Sequence, residues 1–177
     1  MPKKKTVKMV NCRYPKCRNL HETTELKKDD AVKGGSKNSY YHPDCWHTMQ
    51  TVNKIRDTFV KEINPLLTGK QIGALVSMVN NMIFSKGINV DFIYFALQYF
   101  IKNKPGKLQH PAGIHYIVQD SDVVKAWDNE QTRKIREEIR EQQKTMTAND
   151  EFKLDPPEEN SFKFVPQKAR SFADILG

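Results

Sequence analysis

The sequence predicts a mostly α-helical protein, in which a small N-terminal module with a short β-hairpin precedes an all-α domain and a flexible C-terminal tail. All three cysteines lie in the first 45 residues, and apolar side chains recur every three or four positions between residues 46 and 127. No such period continues beyond residue 145. These observations divide the chain into residues 1–47, 48–127, 128–145 and 146–177.

The N-terminal module contains a turn between two candidate strands. The segment Lys33-Gly34-Gly35-Ser36-Lys37 has the glycines of a hairpin turn, and Tyr40-Tyr41 follows it. Few large apolar side chains occur in residues 8–45. The module therefore needs something besides a hydrophobic core to hold it together.

Two helices are predicted next. The first runs from Trp46 to about Ile63 and ends at Asn64-Pro65, because the residue before a proline is disfavoured in the α conformation. The second begins after Thr68, which forms a capping box with Gln71, and Gly87 is its natural end.

Three more helical segments complete the α domain. We expect Asp91 to cap a helix that carries an aromatic stripe and ends at Lys104-Pro105. Pro111 suits the first turn of a short helix, and the segment 123–127 follows it. A helix-turn-helix around Gly87 is an alternative, but its recognition helix would offer only Tyr94 and Gln98 as exposed contacts.

The composition changes after Trp127. Residues 129–144 predict a charged helix whose apolar stripe is limited to Ile135 and Ile139. A proline-containing tail follows, and near its end three apolar residues would share one face of a short helix that could dock on a partner: Phe172, Ile175 and Leu176.

The charge distribution favours a polyanionic partner. The net charge is +8, and the first 50 residues carry 11 basic and 5 acidic side chains. Each phosphate that a Lys or Arg neutralises releases counterions, which favours binding to nucleic acid. The basic residues expected to contact it are Lys3, Lys4, Lys5, Lys8, Arg13, Lys16 and Arg18.

Cysteine and histidine spacing indicates a metal site. Cys12 and Cys17 form one close pair, and His42 and Cys45 form a second. Thiolate and imidazole are the ligands that zinc prefers, and four of them suit a closed tetrahedral site without a catalytic water. We therefore expect one structural zinc ion.

Other arrangements of the same residues remain open. His21 makes a Cys17-x3-His21 pair, and His47 lies two residues beyond Cys45. The three cysteines could also pack as small apolar side chains without any metal.

The segment Ser39-Tyr40-Tyr41-His42-Pro43-Asp44-Cys45-Trp46 resembles the second half of the zinc fingers in LIM domains and in the DNA-break-sensing fingers of poly(ADP-ribose) polymerases. It is also similar to the zinc module that begins many uncharacterised proteins of phages infecting Gram-positive bacteria. The residues 95–100 and 111–118 resemble the helical part of such proteins. The first cysteine pair departs from these families, because it encloses four residues where they have two.

These features predict a zinc-stabilised nucleic-acid-binding accessory protein, phage encoded and acting in replication or transcription. The alternative is an adaptor that binds a host or viral enzyme through its zinc module and tail. The sequence has no Gly-rich phosphate loop or nucleophile elbow, so we expect no enzymatic activity and no small-molecule substrate. No apolar stretch reaches about 18 residues and the N-terminus lacks a signal-peptide core, so we expect a reducing cytoplasm and no membrane.

Overall fold

The computed structural model describes residues 7–36 and 38–149, with side chains described as far as residue 143. Four short strands precede five α-helices in the described residues, which confirms the predicted fold class. One compact unit extends to Lys134, and a second begins at Ile135. The N-terminal lysines 3–5, most of the predicted tail and its apolar face at Phe172, Ile175 and Leu176 lie outside the described residues.

Two antiparallel hairpins form the N-terminal module. Strand β1 (Met9–Asn11) pairs with β2 (Glu25–Lys27), and β3 (Val32–Lys33) pairs with β4 (Tyr40–Tyr41). The second hairpin is the one predicted from its glycines. The first is not evident from the sequence, because its three-residue strands carry only one apolar position buried against the module, Leu26.

The predicted turn requires its first glycine. A Cβ atom at Gly34 would lie 2.6 Å from Cε2 of Tyr41, so any larger residue would displace that ring. The ring of Tyr41 also packs on Trp46, with 5.0 Å between ring centroids. The hairpin thus rests directly on the start of the first helix.

Helix α1 (Pro43–Thr58) begins three residues before the expected start, because Pro43 fits the first helical position and His42 is extended. A π-helical turn, Phe59–Ile63, continues it. The amide of Asn64 donates to the carbonyl of Phe59, and the chain leaves the helix there as predicted.

Helix α2 (Gly69–Phe84) has the predicted capping box, in which Thr68 and Gln71 bond each other's backbone amides. Beyond its end, Gly87 has a φ of 66°, which only glycine adopts readily. Both predicted boundary signals are therefore confirmed.

Helix α3 (Val90–Asn103) is capped by a different residue from the one expected. The side chain of Asn89, not Asp91, accepts the amide of Asp91 at 2.7 Å. Asp91 lies in the first turn, where a carboxylate also favours the helix N-terminus. Tyr94 and Gln98 are only half-exposed, so this helix is a central packing element.

A turn at Pro111–Gly113 leads into the short α4 (Ile114–Ile117). Helix α5 (Ser121–Asn149) then joins the two segments predicted at 123–127 and 129–144 into one helix. Asp120 accepts the amides of Asp122 and Val123 at its start, and the Lys104 ammonium binds the Asp120 carboxylate at 2.7 Å.

The buried side chains form two clusters. The larger lies among α1 to α5 and includes Ile55, Phe59, Leu75, Ile93 and Leu97, each fully buried. The smaller lies in the N-terminal module and consists of Cys12, Tyr14, Cys17, Leu26 and Cys45. In the described part of the chain, the helices are too short or too polar to span a bilayer.

Candidate metal centre

Four different pieces of backbone bring the predicted ligands together. Cys12 directly follows β1, and Cys17 begins a 3₁₀ turn. His42 directly precedes α1, and Cys45 lies in its first turn. The amide of Cys12 bonds the carbonyl of Thr24 and the amide of Arg13 bonds that of Tyr40, so both hairpins hold the first ligand loop.

The ligand atoms have the spacing of a metal site. One atom from each of Cys12, Cys17, His42 and Cys45 lies within 4.8 Å of the others. His42 Nδ1 is 3.4 Å from Cys17 Sγ and 4.0 Å from Cys45 Sγ. Ligands around a tetrahedral zinc would be about 3.5 to 3.8 Å apart, given bonds of about 2.0 to 2.3 Å. The four residues can therefore hold one metal ion with small adjustments.

The burial of the Cys17 and Cys45 thiols favours binding of a cation beside them. Cys17 and Cys45 are 1% and 0% exposed. Burial, and secondarily the neighbouring Cys12, raises the pKa of both thiols above the ordinary 9.0. Clustered thiolates are unfavourable without a positive charge among them, and a bound metal ion supplies it.

His42 is held in its neutral, metal-binding form. Burial, together with the nearby His21, lowers the pKa of its imidazole. The rings of His21 and His42 stack with 3.9 Å between centroids and an interplanar angle of 24°. His21 therefore packs face to face against the ring of the candidate ligand His42.

The two competing histidines occupy other roles. His21 Nε2 is buried without a hydrogen-bond partner in the described structure, and it is outside the four-residue group. His47 points away from it, and its Nε2 contacts the Asp91 carboxylate at 2.9 Å. The stacking role of His21 was missed by sequence reasoning, since spacing alone shows it only as a rival ligand.

The alternative in which the cysteines serve as packing residues is not favoured by the module's own composition. Leu26 and Tyr14 are the other buried members of its cluster, alongside the three cysteines. Burial of two such side chains contributes about 2 to 3 kcal/mol each, which is little for some 40 residues. A bound metal ion would provide the missing stabilisation.

The predicted basic residues of the described module surround the site. Lys8, Arg13, Lys16 and Arg18 are all exposed, and the last three flank the first ligand pair. The amide of Lys28 bonds the carbonyl of Lys8, and the Lys28 ammonium lies 5.8 Å from the centre of the Tyr40 ring. A metal ion bound by the four residues would thus fix the backbone from which Arg13, Lys16 and Arg18 extend.

The chain matches no protein-family model, no curated protein and no solved structure. The resemblance to LIM-type, polymerase-type and phage zinc modules therefore stays a prediction from the residues quoted above. The fold and the site define a small N-terminal module whose Cys3His group could hold a metal ion, followed by a helical domain.

Proposed function

We propose that this protein is a zinc-stabilised nucleic-acid-binding accessory protein without enzymatic activity. The observation that carries the proposal is the Cys3His cluster, whose ligand loops present exposed cations. The phage origin and the role in replication or transcription rest on the sequence resemblance alone.

Zinc is the ion best suited to these donors. Three thiolates and one imidazole are soft to intermediate ligands, which exclude magnesium and calcium on chemical grounds. Four protein ligands complete a tetrahedron and leave no position for a substrate or an activated water. A structural site of this kind is worth roughly 10 to 16 kcal/mol of apparent binding energy in finger peptides at neutral pH. The ion therefore serves folding, in a reducing compartment that keeps the thiols available.

The surrounding charges suit phosphate. Arg13 and Arg18 lie next to Cys12 and Cys17, so a bound metal fixes the backbone that carries them. A cation held on an ordered loop loses less conformational entropy when it binds than one on a free chain. The partner proposed here is nucleic acid, with neither a membrane nor a small-molecule substrate involved.

Binding should be measured by fluorescence anisotropy with the full, zinc-loaded chain. Single-stranded DNA, duplex DNA and RNA are compared over a series of salt concentrations. We expect affinity to fall steeply as salt rises, because each phosphate contact releases counterions. Absence of binding to all three probes at low salt would refute the proposed function.

A charge-matched pair of variants tests the site. Arg13→Glu/Arg18→Glu should weaken binding and reduce the salt dependence. Lys70→Glu/Lys102→Glu changes the same charge at two exposed lysines on α2 and α3 outside the module, and should bind nearly as the wild type does. Equal losses in both variants would indicate that total charge, rather than the module, determines binding.

The adaptor alternative has one observation of its own. Ile135 and Ile139 lie four residues apart on α5 and are 56% and 48% exposed. An exposed apolar pair at this spacing suits a partner helix or groove. Under this alternative, Ile135→Lys/Ile139→Lys abolishes capture of a protein partner and leaves nucleic-acid affinity unchanged.

A further inference from the structure

Two adjoining cavities follow the C-terminal half of α2 and meet at Asn81. The first, of about 270 Å³, lies between Lys16 and Asn19 of the metal module and Asn80 and Asn81 of α2. The second, of about 280 Å³, lies between the end of α2 and the Ala112–Tyr116 segment. We call these two neighbouring cavities, which share Asn81 in their linings, the α2 cleft.

The first cavity of the cleft is polar, the second is more apolar, and each contains a lysine. Lys16 lies in the first cavity and Lys86 in the second, and among the described residues neither lining includes a carboxylate. Other cavities in the described chain differ: one contains Glu62, and another contains Asp91 and Glu130. Each cavity of the α2 cleft therefore offers one cation to an anionic group.

An exposed aromatic side chain stands at one end. Tyr116 is 72% exposed, and its ring lies 5.8 Å from that of His115. The Lys86 ammonium is 3.4 Å from both ring nitrogens of His115, so it lies over the imidazole. A flat aromatic surface next to a cation matches a nucleobase and its phosphate.

Amide side chains line part of the α2 cleft. Asn19, Asn80 and Asn81 line the first cavity, and α2 is otherwise rich in apolar residues. Each carboxamide offers both a donor and an acceptor, as base edges require. These asparagines were missed by sequence reasoning, although a polar pair within an apolar helix was a signal.

The unusual spacing of the first two cysteines helps to build the cleft. The loop between them buries Tyr14, whose ring lies 6.3 Å from that of Phe84 at the end of α2. Cys17 closes the loop by donating its amide to the Tyr14 carbonyl. Lys16 lies in the same loop and is thereby held at the cleft. A loop of only two residues between the cysteines would lack the side chains of Tyr14 and Lys16.

From this arrangement we infer that the α2 cleft binds single-stranded nucleic acid, with bases stacking on Tyr116 and phosphates meeting Lys16 and Lys86. This inference rests on the proposed function and narrows it to unpaired strands. In a duplex the base faces are covered by their neighbours, so the exposed aromatic side chain would have nothing to stack on.

The test uses the full, zinc-loaded chain and an oligothymidylate of about 20 nucleotides, with a duplex of equal length as comparison. We expect tighter binding to the single strand. Tyr116→Ala should weaken it about tenfold, as expected for one lost stacking contact. Lys16→Glu/Lys86→Glu should weaken it further and reduce the salt slope by about 1.4, or 0.7 for each lost contact.

Lys70→Glu/Lys102→Glu is the matched control, since Lys70 lies at the opposite end of α2 from Lys86. It should retain at least about half of the wild-type affinity, and the thermal stability of every variant is measured alongside. If the wild type binds but the cleft variants match the control, the cleft inference fails and the proposed function stands. Tighter binding to the duplex also overturns the inference. If the wild type binds neither of these probes nor RNA at low salt, the proposed function itself fails.

Discussion

Tyr14 packs against Phe84, with 6.3 Å between ring centroids and an interplanar angle of 47°. Tyr14 belongs to the loop between the first two metal ligands, and Phe84 is the last residue of α2. Phe84 is half-buried and packs against the cysteine cluster of the module. This aromatic pair therefore joins the loop between the candidate ligands Cys12 and Cys17 to the helical domain.

Replacement of Tyr14 should weaken the packing between the Cys12–Cys17 loop and the helical domain. Tyr14→Ala removes a side chain that is 8% exposed, and we expect the free energy of unfolding to fall by about 3 kcal/mol. Tyr14→Phe keeps the ring and should change stability by less than about 1 kcal/mol. Denaturant titration of both zinc-loaded variants checks this, and equal stability of the two would contradict the packing role.

Metal binding should depend on Cys45 and be independent of His47. The zinc-loaded chain is expected to contain one ion, and Cys45→Ser should contain less than about half an equivalent because a buried ligand is lost. Helical circular dichroism should largely remain, because the large core cluster contains no cysteine. Elemental analysis and far-UV spectra measure these two effects.

His47→Ala is the control for this experiment, since His47 binds Asp91 and is outside the ligand group. It should keep a full equivalent of metal. A loss of metal in His47→Ala comparable with that in Cys45→Ser would show that the ligand set has been assigned wrongly.

His21 should affect metal affinity without changing stoichiometry. Its ring stacks on the ligand His42. We expect His21→Ala to retain one ion and to bind it about tenfold more weakly, as is usual when a group that orients a ligand is removed. Competition with a chromogenic chelator gives the affinity. Loss of the ion altogether would instead make His21 a ligand.

The pH dependence of stability should reverse between the metal-free and metal-bound chain. Burial raises the pKa of Cys17 and Cys45 above 9.0 in the folded metal-free module, so the unfolded thiols lose their protons first. In whatever fraction of the metal-free module folds, the stability contributed by these thiols is full below pH 9 and falls as the pH rises through and beyond it. With metal bound the thiols are already deprotonated, so stability falls as the solution becomes acidic.

Thermal melts in reducing buffer, with and without chelator, measure these two slopes. Signals from the module are needed, and fluorescence of Trp46, which packs on Tyr41, can provide one after Trp127→Phe. Parallel slopes in the two states would show that the thiols are not the groups that change protonation.

Local signals were enough to predict much of the fold. The Thr68–Gln71 capping box and the Gly34 turn depend on neighbouring residues, so the sequence displays them directly. The grouping of Cys12, Cys17, His42 and Cys45 was predictable in part for the same reason, because each pair is close in the chain. Asn89 was missed as a cap because Asp91, two residues on, has an equally suitable side chain.

Long-range relationships were not predictable. The β1–β2 pairing joins residues 9–11 to 25–27 with few buried side chains, so no apolar pattern marks it. The α2 cleft depends on Lys16 meeting Asn80 and Asn81, which only tertiary packing brings together. The stacking of His21 on His42 has the same origin.

The N-terminal lysines offer a last test of the charge argument. Lys3, Lys4, Lys5 and Lys8 precede the first candidate ligand, Cys12, and the side chain of Lys8 is exposed. If all four contact phosphates, changing them to Glu should reduce the slope of log affinity against log salt by about 2.8 on a single strand. Four exposed lysines outside the module, Lys54, Lys70, Lys102 and Lys107, provide a control with the same change in charge. An equal reduction in both quadruple variants would show that net charge alone governs binding. A reduction confined to the N-terminal variant would show that the nucleic-acid surface extends from the loop between Cys12 and Cys17 to residues 3–8.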